Sequence, residues 1–267
     1  MRGSRIAILI TLCAAAAIPA STWTAQAPAP SSAAPNAKLV EDLAYANRIL
    51  ADQDVLDGFG HVSARSQKDP SRFLMARSMA PGLVTTGDIL EFDRDGEAID
   101  AHGRSIYLER YIHAAIYRAR PDVMAIVHSH SPDVIPYGVT GTALRPLYGM
   151  SAFLGSGSPI VDIQDTAGMT DMLVRNNKIA DALAKSLGDS TVVLMRGHGF
   201  VAVGQSVPQM VLHAIYTRIN ARLQVEAAKL GPIKFLSPEE AVKANAANDF
   251  MVARPWELWK SRVGKIE

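Results

Sequence analysis

Residues 191–204, TVVLMRGHGFVAVG, constrain the fold more than any other stretch of this chain. Two runs of β-branched and apolar residues flank a glycine-rich turn, so they read as two strands with His198 at their junction. GFGHVSARS (58–66), FLMAR (73–77) and VMAIVHSH (123–130) add short strands. ILEFD (89–93), Arg94-Asp95-Gly96 and EAID (97–100) read as a hairpin turning on Asp-Gly. Helical spacing of apolar residues marks 38–53, 105–119 (ended by Pro121), 169–187 (ended by Gly188) and 207–229. The last of these opens on Ser206-Val207-Pro208-Gln209 as a capping box and stops at Gly231-Pro232. A further helix opens at Ser237-Pro238-Glu239-Glu240. Strands and helices are mixed without regular alternation. That favours α+β or a mixed α/β, three-layer α/β/α sandwich over a doubly wound parallel sheet.

The N-terminal segment has a different plan. Arg2 and Arg5 precede an apolar run from Ile6 to Ala20, and an A-x-A tripeptide closes at Ala27. This is the pattern of a secretory signal over 1–27, with an uncleaved anchor as the alternative. Pro-rich PAPSSAAPNA (28–37) reads as a disordered lead-in, leaving 38–267 as one domain. The 27 basic residues fall to 27 − 2 = 25 once Arg2 and Arg5 leave, against 26 acidic ones. A near-neutral chain without a basic block argues against nucleic acid or an anionic membrane as partner. The one cysteine, Cys13, lies inside the signal, so the remaining chain offers no thiol, disulfide or Cys-ligated metal. That composition suits a periplasmic or secreted protein.

Chemistry concentrates in three histidines. Residues i and i+2 of a strand share a face, so His128 and His130 in AIVHSH present two imidazoles side by side. His198 sits between Gly197 and Gly199, where a solvent-facing turn more often uses Asn or Asp. Three neutral imidazoles suit a divalent ion that keeps a position open for substrate. Glu109 lies on the edge of a helical apolar stripe, and pairing with Arg110 or Arg118 is the plain alternative to a role beside the metal. His102 reads as a surface-loop residue and His213 as a packed helix residue; His113 is ambiguous.

Together these blocks resemble the class II aldolase/adducin family, which includes fuculose-phosphate aldolase and ribulose-phosphate 4-epimerase. The matching segments are GHVSAR (60–65), LERYIHAAIYRARPDVMAIVHSHSP (108–132) and GHG (197–199). The separation 128 − 109 = 19 is the family's spacing between its acid/base glutamate and first histidine ligand. The resemblance spans about Leu39 to Lys229. It implies His128, His130 and His198 as ligands of Zn²⁺, with Mn²⁺ as the alternative, and Glu109 as general acid/base. It also implies a central, largely antiparallel sheet flanked by helices, and a homotetramer with active sites at subunit interfaces. An ion touching a substrate's carbonyl and adjacent hydroxyl stabilises the enediolate left when a neighbouring C–C bond breaks. Aldol cleavage and decarboxylation share that need.

The chain departs from the sugar-phosphate members. They carry Gly-Asn at Gly60-His61, Thr-Gly near Arg77-Ser78 and two serines at Tyr107-Leu108. Large side chains replace small donors, which argues against a phosphate. His61, Ser63, Arg65, Arg77 and Ser78 become candidates for gripping a carboxylate, with structural salt bridging as the alternative for the two arginines. GHVSAR, FLMARSMAP and YLERYIHAAIYRARPDV are similar to the branch that includes hydroxy-pyridine-dicarboxylate decarboxylase. Trp256 and Trp259 are candidates to cover an aromatic ring, or else helix packing. The expected function is a metal-dependent carbon–carbon lyase, decarboxylase or aldolase, on a small non-phosphorylated hydroxy or oxo acid. The rivals are an epimerase on the same site, a non-catalytic adducin-like module, and a non-haem iron oxygenase if Glu109 binds metal.

Overall fold

The computed structural model describes residues 36–266. The secretion signal expected over 1–27 and most of the expected lead-in (28–37) therefore lie outside the described residues; Ala37 already opens the first helix. In chain order the elements are α1 (Ala37–Asp52), β1 (His61–Arg65), β2 (Phe73–Ala76), β3 (Ile89–Phe92), α2 (Arg110–Ala119), β4 (Ala125–Ser129), α3 (Ile135–Val139), β5 (Ile160–Val161), α4 (Gln164–Ala167), α5 (Asn177–Leu187), β6 (Val192–Met195), β7 (Gly199–Gly204), α6 (Val207–Leu230), α7 (Pro238–Asp249) and α8 (Ala253–Val263). The seven strands form one sheet in the order β3-β2-β1-β4-β7-β6-β5. Every pairing is antiparallel except β5 with β6.

Alternation along the central strands divides the side chains between two helical layers. Val62, Ala64, Ala125, Val127, Phe200 and Ala202 join a core with Leu50 of α1, Met210 and Ile215 of α6 and Trp256 and Trp259 of α8. Ile126, Val193, Val201 and Val203 face the other way, against Ile112 and Ile116 of α2 and Ile179 and Leu183 of α5. The expected three-layer α/β/α sandwich with a largely antiparallel sheet is the observed fold. Both tryptophans are core packing of α8, about 5% exposed or less. His213 packs its ring on Phe153 at 4.4 Å, and His102 lies in an exposed turn beside Asp100.

Two helices start later than their apolar periodicity predicts, and both delays shape the site. The 105–119 helix begins at Arg110, with Glu109 as its N-cap residue. Residues 105–107 are held elsewhere: the Ser78 N–H donates to Ser105 O at 2.8 Å, and the Tyr107 hydroxyl to Met79 O at 2.5 Å. The 169–187 helix begins at Asn177, because the Asn176 side chain accepts from Ile179 N and caps it there. Before it, the side chains of Thr170 and Asp171 accept from the amides of Met172 and Leu173, local turns that compete with helix. The expected return strand of the 89–100 hairpin shrinks to one bridge, Phe92 with Ala98. Glu97 turns instead to Arg110, at 3.0 Å.

Candidate metal centre

Strand register assembles the site. β1 and β4 place His61 opposite His128, and β4 and β7 place His128 opposite Val201 and Ser129 opposite Phe200. β4 ends at Ser129, so His130 follows the strand rather than lying in it; its ring nevertheless reaches His128. The β6–β7 turn brings His198 to the same point. Gly199 is obligatory there, because a Cβ would stand 2.0 Å from Ser129 O.

His130 Nε2 lies 2.9 Å from His128 Nε2 and 3.0 Å from His198 Nε2. Glu109 Oε2 approaches His128 Nε2 at 3.5 Å and His198 Nε2 at 3.4 Å. One ligand atom from each of the four residues lies within 4.8 Å of every other. The His128 Nδ1–H is placed to donate to Phe200 O at 3.2 Å, which leaves the Nε2 lone pair free to face the centre. Such a convergence of ring nitrogens and a carboxylate, three-quarters of it imidazole, fits a divalent cation of borderline softness. His198 Nδ1 is buried with no partner among the described residues.

Electrostatics agree with the geometry. Burial acts to raise the Glu109 carboxyl pKa, yet the hydrogen bonds and charges of His128 and His198 outweigh it and hold the group well below the usual carboxylate range. Burial, then His128 and His198, push His130 down to about 4, so it stays a neutral donor of its lone pair. Val174 N–H donates to Glu109 Oε1 at 2.9 Å, which orients the carboxylate with Oε2 toward the histidines. No sequence signal pointed to Val174, because it lies in the stretch read as helix.

The structure separates the remaining candidates. His61 borders the centre, its ring 5.1 Å from His128 and 4.7 Å from Tyr107. Ser63 is fully buried and bonded to His113 and Tyr117. Arg65 donates to the backbone oxygens of Val123, Pro70, Tyr117 and Arg120, so its guanidinium is a clamp within the fold and the expected grip on substrate is corrected for it. Arg77 pairs with Asp88 at 2.7 Å, the salt-bridging alternative. Ser78 sits in the loop that Tyr107 holds, and its amide bonds Ser105 O. His113, ambiguous in sequence, is fully buried behind His61.

A model of the class II aldolase and adducin N-terminal domain matches residues 41–225, and the chain belongs to that family. Decarboxylase tropJ of Talaromyces stipitatus is 38% identical, over 80% of this chain and 90% of that protein. The 3,4-dihydroxyphthalate decarboxylase of Arthrobacter keyseri is 34% identical, over 72% of this chain and 79% of its own length. Among solved structures, L-fuculose 1-phosphate aldolase from Glaciozyma antarctica superposes with a TM-score of 0.71 at 22% identity, covering 86% of this chain and 93% of that one. The chain is an enzyme of this family, with a lyase role of the decarboxylase or aldolase kind.

Proposed function

We propose that the enzyme is a divalent-metal-dependent decarboxylase of a small, non-phosphorylated aromatic hydroxy acid. The observation that carries this reading is the Glu109–His128–His130–His198 cluster in a chain whose relatives include two decarboxylases. Three neutral imidazoles favour Zn²⁺, with Mn²⁺ as the alternative. Bound there, the ion supplies positive charge for the negative charge that develops on substrate oxygen as the C–C bond breaks. The chain's own residues do the rest. Glu109, ionised and aimed by Val174 N–H, takes the proton of the substrate hydroxyl and returns it to the ring carbon. That carbon's bond to the carboxylate breaks and CO₂ leaves, so one carboxylate and one proton become one ring C–H and CO₂. The Tyr107 ring, packed on His61, occupies the place of the serines that sugar-phosphate members use, which supports an unphosphorylated substrate.

Assays of hydroxybenzoates and dihydroxyphthalates for CO₂, run beside aldol donors for released aldehyde, test the reading. The expected result is CO₂ release that a chelator abolishes and Zn²⁺ restores; aldehyde release instead overturns it. Export through residues 1–27 to the periplasm belongs to the same proposal, and N-terminal sequencing of the secreted protein checks it. So does a homotetramer with the site at its interfaces. Phe59 and Leu108, 69% and 53% exposed beside His130 and Glu109, are apolar surface for a second copy to cover.

A further inference from the structure

Behind the metal centre a chain of buried hydrogen bonds runs along the sheet face under α2. His61 Nδ1 meets His113 Nε2 at 2.7 Å. His113 Nδ1 meets Ser63 Oγ at 2.6 Å, and Ser63 Oγ meets the Tyr117 hydroxyl at 2.8 Å. The four side chains belong to β1 and α2, and none lies in the Glu109–histidine cluster. His113 and Ser63 are fully buried, and Tyr117 is 7% exposed under the Arg65 guanidinium, 4.7 Å from its ring.

The far end sets the direction of every bond. Ser63 is the hydrogen-bond partner of the Tyr117 hydroxyl among the described residues, so the buried phenol donates to it. Ser63 has one proton, and its Oγ already accepts from Tyr117, so it donates to His113 Nδ1. His113 then carries its proton on Nε2 and donates to His61 Nδ1. The proton of a neutral His61 is left on Nε2. That atom makes no hydrogen bond to the described residues, and His61 keeps 4% exposure beside His128 and Tyr107. The opposite direction would give Tyr117 an O–H with no acceptor among the described residues.

We propose that Tyr117, Ser63 and His113 are positioning residues that hold His61 as a neutral imidazole protonated on Nε2, so that it offers one fixed N–H donor to a substrate carboxylate at the metal centre. The tautomer follows from the hydrogen-bond chain alone; the carboxylate as its acceptor rests on the decarboxylase reading. A donor whose orientation and tautomer are set before binding loses little freedom when substrate arrives.

The test is ¹⁵N NMR of histidine-labelled, zinc-loaded protein, with the His61 signals assigned by their loss in His61→Gln. The expected wild-type spectrum shows His61 protonated on Nε2 and bare on Nδ1. A Ser63→Ala variant removes the hydroxyl that donates to His113 Nδ1, so nothing fixes the tautomer of that ring. Its expected spectrum shows His61 exchanging between tautomers, with metal content unchanged and KM for the decarboxylated acid raised about tenfold while kcat moves less. A wild-type His61 protonated on Nδ1, or a Ser63→Ala spectrum identical to wild type, overturns the proposal. A shifted tautomer with unchanged KM overturns the contact between His61 and substrate. The spectra need no substrate, so absence of decarboxylation defeats the functional reading while the tautomer stands or falls separately.

Discussion

The two faces of the central sheet come from the same strands and do different work. Toward α1, α6 and α8 the strands present Val62, Ala64, Val127, Phe200 and Ala202, an apolar surface interrupted by Ser129, whose hydroxyl donates to Val55 O. Toward α2, the alternate positions of β1 and β4 present His61, Ser63, Arg65 and His128, all buried. Burying such groups without partners costs several kcal/mol each, so that face survives because its polar atoms find one another. Strand register is what stacks His61 beside His128. Both faces carry an apolar core, since Ile126, Val193 and Val201 pack against α2 and α5, but only the α2 face also carries the chemistry.

Glu109→Gln strikes the chemical face hardest. It keeps the size and the Val174 contact but removes the charge, so kcat should fall on the order of a thousandfold with metal content and melting temperature near wild type. Metal analysis, calorimetry and turnover on one preparation check all three; retained turnover removes the glutamate's role. Leu194→Ala strikes the apolar face, where Leu194 is fully buried. It should cost about 3 kcal/mol of stability by chemical denaturation and leave kcat/KM of the folded enzyme within twofold. A large loss of activity at full metal content would show that the faces are not separable.

The apolar side has a titratable group of its own. Burial pushes His213 of α6 down to about 4, against the raising influence of Val203 O and Asp249. The unfolded chain takes up this proton near pH 6.5, and the folded one does so only near pH 4. Stability is therefore fully present above pH 6.5 and is lost as pH falls from there to 4, by up to about 3 kcal/mol. Denaturation of His213→Gln should show a correspondingly flatter acid limb. Arg65→Lys is the mildest change and the sharpest for the polar face. A lysine cannot bridge four backbone carbonyls, so the variant should lose about 1–2 kcal/mol of stability with KM unchanged. A raised KM would return Arg65 to the substrate.

Much of this protein was legible in the residues. Short apolar runs and caps mark the strands and most helix ends, because alternation, helical spacing and capping are contacts between near neighbours. Helix starts at 110 and 177 are not legible because the apolar pattern runs ahead of them, while Tyr107 and Asn176 find partners that periodicity does not register. The two arginines of the polar face show the same limit. As residue types, both suit a carboxylate; as placed, Arg65 clamps backbone and Arg77 pairs with Asp88.

By itself the sequence determined which side chains could meet a metal: three histidines in strand and turn contexts, and a glutamate 128 − 109 = 19 residues ahead of the first. It also determined the alternation along the short strands. Only the tertiary structure decided what each polar atom touches. Val174 reaches Glu109 across 65 residues, and His61, His113, Ser63 and Tyr117 join across 50 to 54. Hydrogen bonds over such separations depend on distances near 3 Å set by packing. Composition and spacing carry no information at that scale, so a residue's type is legible in the chain while its partner is not.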